Sequence, residues 1–196
     1  INPEIDNVNV DGMEIDYHKN IYLMLNKPED CVCANNDNVN DTVFDYLIEY
    51  AHRPLFCVGR LDKDTTGLLL VTDDGDFSHR ITNPKKKINK VYHAYINGHI
   101  SELDIAYFNK GVMLDKDVKA KPAQLKEIKK DGANSWVEII IQEGKFHQVK
   151  KMLKAINLDT LALNRVQIGN LTLDDDLETG DYKLLDADEI DAIFQN

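Results

Sequence analysis

Apolar positions fall in short bursts between clusters of Gly, Pro, Asn and Asp, a rhythm of strands and short helices. Ile21–Leu25 predicts a strand stopped by Lys27-Pro28. Asn40 or Asp41 is placed to cap a helix carrying Val43, Phe44, Leu47 and Ile48 at helical spacing. Leu55–Val58 predicts a short strand, and the run Gly67-Leu68-Leu69-Leu70-Val71, bounded by Gly and Asp-Asp-Gly, a buried one. A turn or two of helix is expected over Phe77–Thr82. Val91–Ile96 alternates, with Tyr92, Ala94 and Ile96 on one face. Leu103–Phe108 reads as helix, and Ala123–Ile128 and Trp136–Ile141 as paired strands around Asp131-Gly132. An amphipathic helix over Phe146–Ile156, a strand over Leu161–Ile168 and a last helix after Asp186 complete the pattern. Strands and helices mix without a strict βαβ order, which predicts an α+β fold with a largely antiparallel sheet.

The chain has 196 residues, 43% of them hydrophobic, enough for a core in one domain or two small subdomains. No apolar run reaches the roughly 20 residues of a membrane helix, and no signal peptide is evident. Cys31, Cys33 and Cys57 make neither a disulfide framework nor a zinc set, so reduced thiols in a cytoplasmic protein are expected. Residues 1–18 form no obvious part of the main unit. They resemble a linker or the end of another domain, with a small hairpin around Asp11-Gly12, and the chain opens without Met, as a fragment would. The main domain is then 19–196.

Net charge is −11, from 23 basic and 34 acidic residues, which argues against a binder of polyanions. Its distribution reverses that reading. Residues 1–18 carry −5 and residues 171–196 carry −8, leaving the middle at +2. Between 80 and 99 there are five basic residues, Arg80, Lys85, Lys86, Lys87 and Lys90, and no acid. With Tyr92 next to this run, the composition suits a groove that tracks phosphates and stacks a base, although a solvated loop has the same composition.

Two further segments carry candidate chemistry. Gly59-Arg60-Leu61-Asp62-Lys63-Asp64-Thr65-Thr66-Gly67 joins two apolar strands. Arg60 and Asp62, two apart, would project to one side, so the arginine could hold the carboxylate ionised; a surface ion pair on a solvated loop is the alternative. On a helical wheel Phe146, Val149, Met152, Leu153 and Ile156 share an inward face, with His147, Lys150, Lys151 and Lys154 opposite. Lys150 lies about 40° from Phe146 and can lean inward. His79, His93, His99 and His147 have no metal-ligand spacing, and there is no phosphate-loop glycine motif.

These segments stand in a familiar order. GRLDKDTTGLLLVTDDG at 59–75 resembles the signature of the ribosomal small subunit pseudouridine synthase A family. SHRIT at 78–82, KVYHAY at 90–95, EGKFHQVKKML at 143–153, LNRVQIGNLTLD at 163–174 and TGDYKLL at 179–185 extend the likeness across most of 21–186. The resemblance implies a mixed, mostly antiparallel sheet with flanking helices and a central active-site cleft. It implies an isomerase that turns a uridine of small-subunit ribosomal RNA into pseudouridine, needing no cofactor or metal. Asp62 matches the essential aspartate, Tyr92 the tyrosine stacking on uracil, and Lys150 the basic partner of the aspartate. Arg60 matches the residue that helps hold the flipped nucleotide, and Leu163 an apolar wall of the pocket. Arg80, Lys90, His147 and Lys151 are expected to contact RNA. Asp30 stands where relatives often have Gly, so a local loop change is expected there. The family usually carries an upstream S4-type RNA-binding domain, of which 1–18 would be the last piece. Expected partners are ribosomal RNA within a small-subunit assembly particle, for a monomeric protein with no membrane. The alternatives are a synthase acting on large-subunit RNA, a non-catalytic RNA-binding assembly factor on the same fold, and a hydrolase using carboxylates, although no second positioned acid accompanies Asp62.

Overall fold

A twisted mixed sheet organises the chain, with apolar residues on both faces. The computed structural model describes residues 8–10, 13–15 and 20–195, with side chains from residue 20 onward. Near the start, β1 (Val8–Val10) and β2 (Met13–Ile15) pair antiparallel, as the hairpin expected around Asp11-Gly12 requires. The turn itself and the rest of the 1–18 segment lie outside the described residues.

The main sheet follows from β3 (Tyr22–Lys27), β4 (Phe56–Cys57), β5 (Thr65–Thr72) and β6 (Lys90–Ile96). Helix α1 (Gly75–Thr82) lies between the last two, and α2 (Glu102–Lys110) follows β6. A small ribbon of β7 (Met113–Asp115) and β8 (Val118–Lys119) precedes β9 (Gln124–Asp131) and β10 (Asn134–Ile141). Then come α3 (Gln148–Lys154), β11 (Thr160–Ile168), β12 (Leu171–Thr172), β13 (Tyr182–Leu184) and α4 (Ala187–Ala192). The strand order is β13-β3-β5-β11-β6-β10-β9. All pairings are antiparallel except β5 with β11, which pair parallel over three residues. Beyond those three residues β5 pairs with β4 and β11 with β12.

The run Leu68–Val71 can be continuously apolar because both faces of β5 are covered. Leu69 and Val71 join the larger core with Leu23, Leu25, Tyr92 and Leu163, whereas Leu68 and Leu70 join a second core with Met24, Phe77 and Ile193. Helix α1 is capped by Asp74, whose carboxylate accepts from the Asp76 and Phe77 amides at 2.9 and 3.0 Å. Ser101 and Asp104 form a reciprocal capping box for α2.

Two sequence expectations fail. The helix expected after Asn40 or Asp41 is instead a pair of 3₁₀ turns, Val43–Tyr46 and Ile48–Tyr50, capped by Thr42. Only Val43 and Leu47 of its four apolar residues are fully buried, and Ile48 is 74% exposed, so there is no continuous stripe to dock a longer helix. The helix expected over Phe146–Ile156 is shorter, and the consequences reach the cleft.

Candidate active site

The loop between β4 and β5 presents Arg60, Leu61 and Asp62 along one side of a cleft of about 180 Å³. Tyr92 and Lys90 enter from β6, Leu163 and Arg165 from β11, and His147 and Gln148 from the start of α3. This is well below the space a drug-sized ligand occupies and on the scale of one base.

The Asp62 loop is held from behind by a buried cation. Lys27, fully buried at the end of β3, donates to the carbonyls of Pro28 at 2.9 Å, Lys63 at 3.2 Å and Thr65 at 2.9 Å. The Asp30 amide also donates to Lys63 O at 3.0 Å, and the left-handed backbone at Asp30 (φ 64°) turns the segment that follows β3. Leu61 N–H donates to Cys33 Sγ at 3.4 Å. A hydrogen bond from Cys57, then the Leu61 amide and nearby cations, hold the Cys33 thiol down at about 7 against the opposing effect of burial. All three cysteines are free thiols.

Asp62 is partly exposed and faces two bases. Lys150 Nζ lies 3.2 Å from Oδ2, and His147 Nε2 lies 3.5 Å from Oδ1. Lys150 also bonds Asp64. Burial raises the Asp64 carboxyl, but the hydrogen bond and charge of Lys150 outweigh it and hold the group below the usual carboxylate value.

Helix α3 starts at Gln148, preceded by His147 in the left-handed region (φ 52°, ψ 34°). The turn before it is fixed by Glu143, which accepts from Lys121 N at 2.8 Å and Gln148 Nε2 at 2.9 Å and pairs with Lys145. This kink breaks the 100° wheel drawn from Phe146. Phe146 is therefore not on the inward face: it is 68% exposed, stacked on the His147 ring at 3.7 Å between centroids. His147, expected on the outer face, turns toward Asp62 instead. Lys150 does lean inward, since it lies inside the helix, where the wheel holds.

Other expected residues separate into two groups. Tyr92 (7% exposed) and Leu163 (5%) wall the cleft. Arg60 lines it but is exposed and forms no ion pair with Asp62; the bases beside that carboxylate are Lys150 and His147. Arg80 is not part of the lining, because its guanidinium sits 3.7 Å over the Phe194 ring. Lys151 lies outside the cleft, 5.3 Å from the Phe146 centroid, in a shallow basic groove with Lys150 and Lys154.

Arg165 is the residue that sequence reasoning missed. It is 2% exposed, and its Nε donates to Leu68 O at 2.8 Å and its Nη1 to Tyr92 Oη at 3.5 Å. Beside it Lys90, 7% exposed, donates to the carbonyls of Ile81 and Ile88 at 3.2 and 3.3 Å. Burial, with the charge of Arg165, pulls the Lys90 ammonium down to about 8. A basic position two residues past Leu163, on the same side of a strand, was the available signal.

The cleft thus brings together a carboxylate, two bases, a tyrosine and a leucine. Residues 21–155 match the model of the RNA pseudouridylate synthase family. The chain belongs to that family. It is 39% identical over 192 residues to an uncharacterised RNA pseudouridine synthase, YtzG, of Bacillus subtilis, covering 97% of this chain and 80% of the relative. It is 41% identical over 174 residues to ribosomal small subunit pseudouridine synthase A of Escherichia coli, covering 88% and 73%. The Vibrio cholerae protein of that name is 40% identical, covering 94% and 78%. A crystal structure of a pseudouridylate synthase superposes with a TM-score of 0.79 at 39% identity, over 89% of this chain and 74% of the other. This pseudouridine synthase is thus an isomerase with the family's mixed α+β fold.

Proposed function

We propose that this chain isomerises one uridine of small-subunit ribosomal RNA to pseudouridine, with Asp62 as the essential group. The observation that carries the reading is the Asp62 carboxylate at the cleft mouth, 3.2 Å from Lys150 and 3.5 Å from His147, facing Tyr92 and Leu163. The likeness to small-subunit synthases supports the choice of RNA.

The target uridine is unstacked and flipped into the cleft, at a cost of a few kcal/mol. Arg60 and His147 at the rim meet the backbone of the flipped nucleotide, and the groove of Lys150, Lys151 and Lys154 receives its neighbours. Tyr92 stacks on the base and Leu163 closes the apolar side. Lys150 keeps Asp62 ionised and aimed. The N-glycosidic bond then breaks, with Asp62 either attacking the sugar or removing a proton from it. The base turns, C5 bonds to C1′, the C5 proton leaves and N1 gains one, so no atom is gained or lost overall.

The test is incubation of the protein with transcribed small-subunit and large-subunit RNA, followed by chemical mapping of pseudouridine. Product is expected on small-subunit RNA alone, at one position, and Asp62→Asn should abolish it while leaving the unfolding transition and RNA affinity within twofold. Product on large-subunit RNA would redirect the substrate assignment. Full turnover by Asp62→Asn would remove Asp62 from the mechanism.

A further inference from the structure

The cleft holds two buried cations without a counterion. Arg165 and Lys90 are 2% and 7% exposed and both line it. Lys90 meets only the two carbonyls of Ile81 and Ile88. Arg165 spends Nε on Leu68 O and Nη1 on Tyr92 Oη, and its buried Nη2 has no partner. Neither forms a salt bridge among the described residues. The nearby acids are engaged elsewhere: Asp62 with Lys150 and His147, and Glu143 with Lys145.

Burying one cation without an opposite charge is unfavourable, and placing a second near it is more so. A packed apolar side chain would serve the core better. Such an arrangement is expected where negative charge develops during a reaction.

On the reading that this site makes pseudouridine, one such charge is unavoidable. When the N1–C1′ bond breaks, its electron pair stays with the base. The base becomes a uracil monoanion, its charge spread over N1, O2 and O4. The sugar is balanced at Asp62, either by a C1′–O bond to the carboxylate or by transfer of the C2′ proton to it. When C5 bonds to C1′ that charge is discharged. A C1′–O bond, if formed, returns its pair to Asp62; a proton taken from C2′ is given back to it. The C5 proton then leaves and N1 is protonated.

We propose that Lys90 and Arg165 form an anion site for the departing uracil, holding the base by its developing charge while it turns. Lys90, two residues before Tyr92 on the same face of β6, and Arg165, opposite Tyr92 across the β6–β11 register, flank the ring that stacks the base. The site favours the base when it is charged, so it acts on the broken-bond state more than on bound uridine.

The proposal is tested by isothermal titration of the full chain with 5-nitrouracil, ionised at neutral pH, uracil, neutral there, and inorganic phosphate. The wild type should bind 5-nitrouracil at least tenfold more tightly than uracil. Lys90→Met and, separately, Arg165→Gln should each erase that preference while changing uracil affinity less than threefold. In single-turnover assays on the RNA substrate, Lys90→Met should lower the rate about 100-fold with RNA affinity retained. Thermal unfolding identifies the variants that fold, and either one suffices. Equal binding of 5-nitrouracil and uracil by the wild type, an unchanged rate in a folded variant, or phosphate displacing 5-nitrouracil at equal concentration would overturn the proposal. A wild type that makes no pseudouridine but still prefers the anion would sink the assigned reaction and leave the anion site standing.

Discussion

Lys90 shows at the scale of one residue how a site opposes stability. Its ammonium is lowered to about 8 in the fold from an ordinary 10.5, so the unfolded chain binds the extra proton between those values. Stability therefore rises with pH across roughly pH 8–10.5, and below pH 8 the full penalty of the buried charge is present. The shift corresponds to about 3 kcal/mol. Lys90→Met should thus be more stable than the wild type at pH 7, by about 1–3 kcal/mol in urea denaturation, with the gap closing toward pH 10.5. A variant equally destabilised at both pH values would mean that the methylene packing of Lys90 outweighs its charge. Lys90 was legible as a basic residue beside Tyr92, but not as a buried one: a run of lysines in sequence does not say which one the sheet encloses. Arg165 was overlooked in spite of its spacing from Leu163. An isolated arginine in a strand looks solvent-facing until the neighbouring strands are placed. Phe146 erred in the other direction, because the left-handed turn at His147 depends on the Glu143 network and leaves no trace in apolar spacing.

Elements were most legible where one period ran without interruption. β6 alternates and was placed within a residue, and β5 was read as buried from its unbroken apolar run. The short pieces β7, β8, β12 and β13, two or three residues each, carry no period that could announce them. The parallel contact between β5 and β11 was also hidden, since nothing local couples residues 98 positions apart, yet it brings Arg165 to the Asp62 loop. Gly67 makes this contact possible. Its φ is +96°, and a Cβ there would overlap the Asn164 side chain and the Arg165 carbonyl. Gly67→Ala should cost about 2 kcal/mol or more, seen as a lower denaturation midpoint, and should slow catalysis beyond that loss by displacing Arg165. A midpoint within a few tenths of a kcal/mol of wild type would mean that the two strands separate at little cost.

For the whole molecule, the overall charge of −11 conceals a local basic surface. The acidic C-terminal segment is no loose extension: β13 pairs with β3, and Leu185 and Ile193 are buried in the second core. Removing it would remove part of the fold, so its acidity is a fixed property of the molecule. Affinity should then rest on few phosphates. With three contacted on a single strand, raising salt from 50 to 200 mM should weaken binding roughly 20-fold, measurable by fluorescence anisotropy. A salt-independent affinity would argue that base stacking alone holds the RNA. The position of β11 has one more consequence. It lies between β5 and β6 yet is made long after both, so a growing chain that has not yet released residues 160–168 keeps two strand edges open. It holds Asp62 and Tyr92 without Leu163 and Arg165. During synthesis the cleft therefore lacks its β11 wall until that strand emerges.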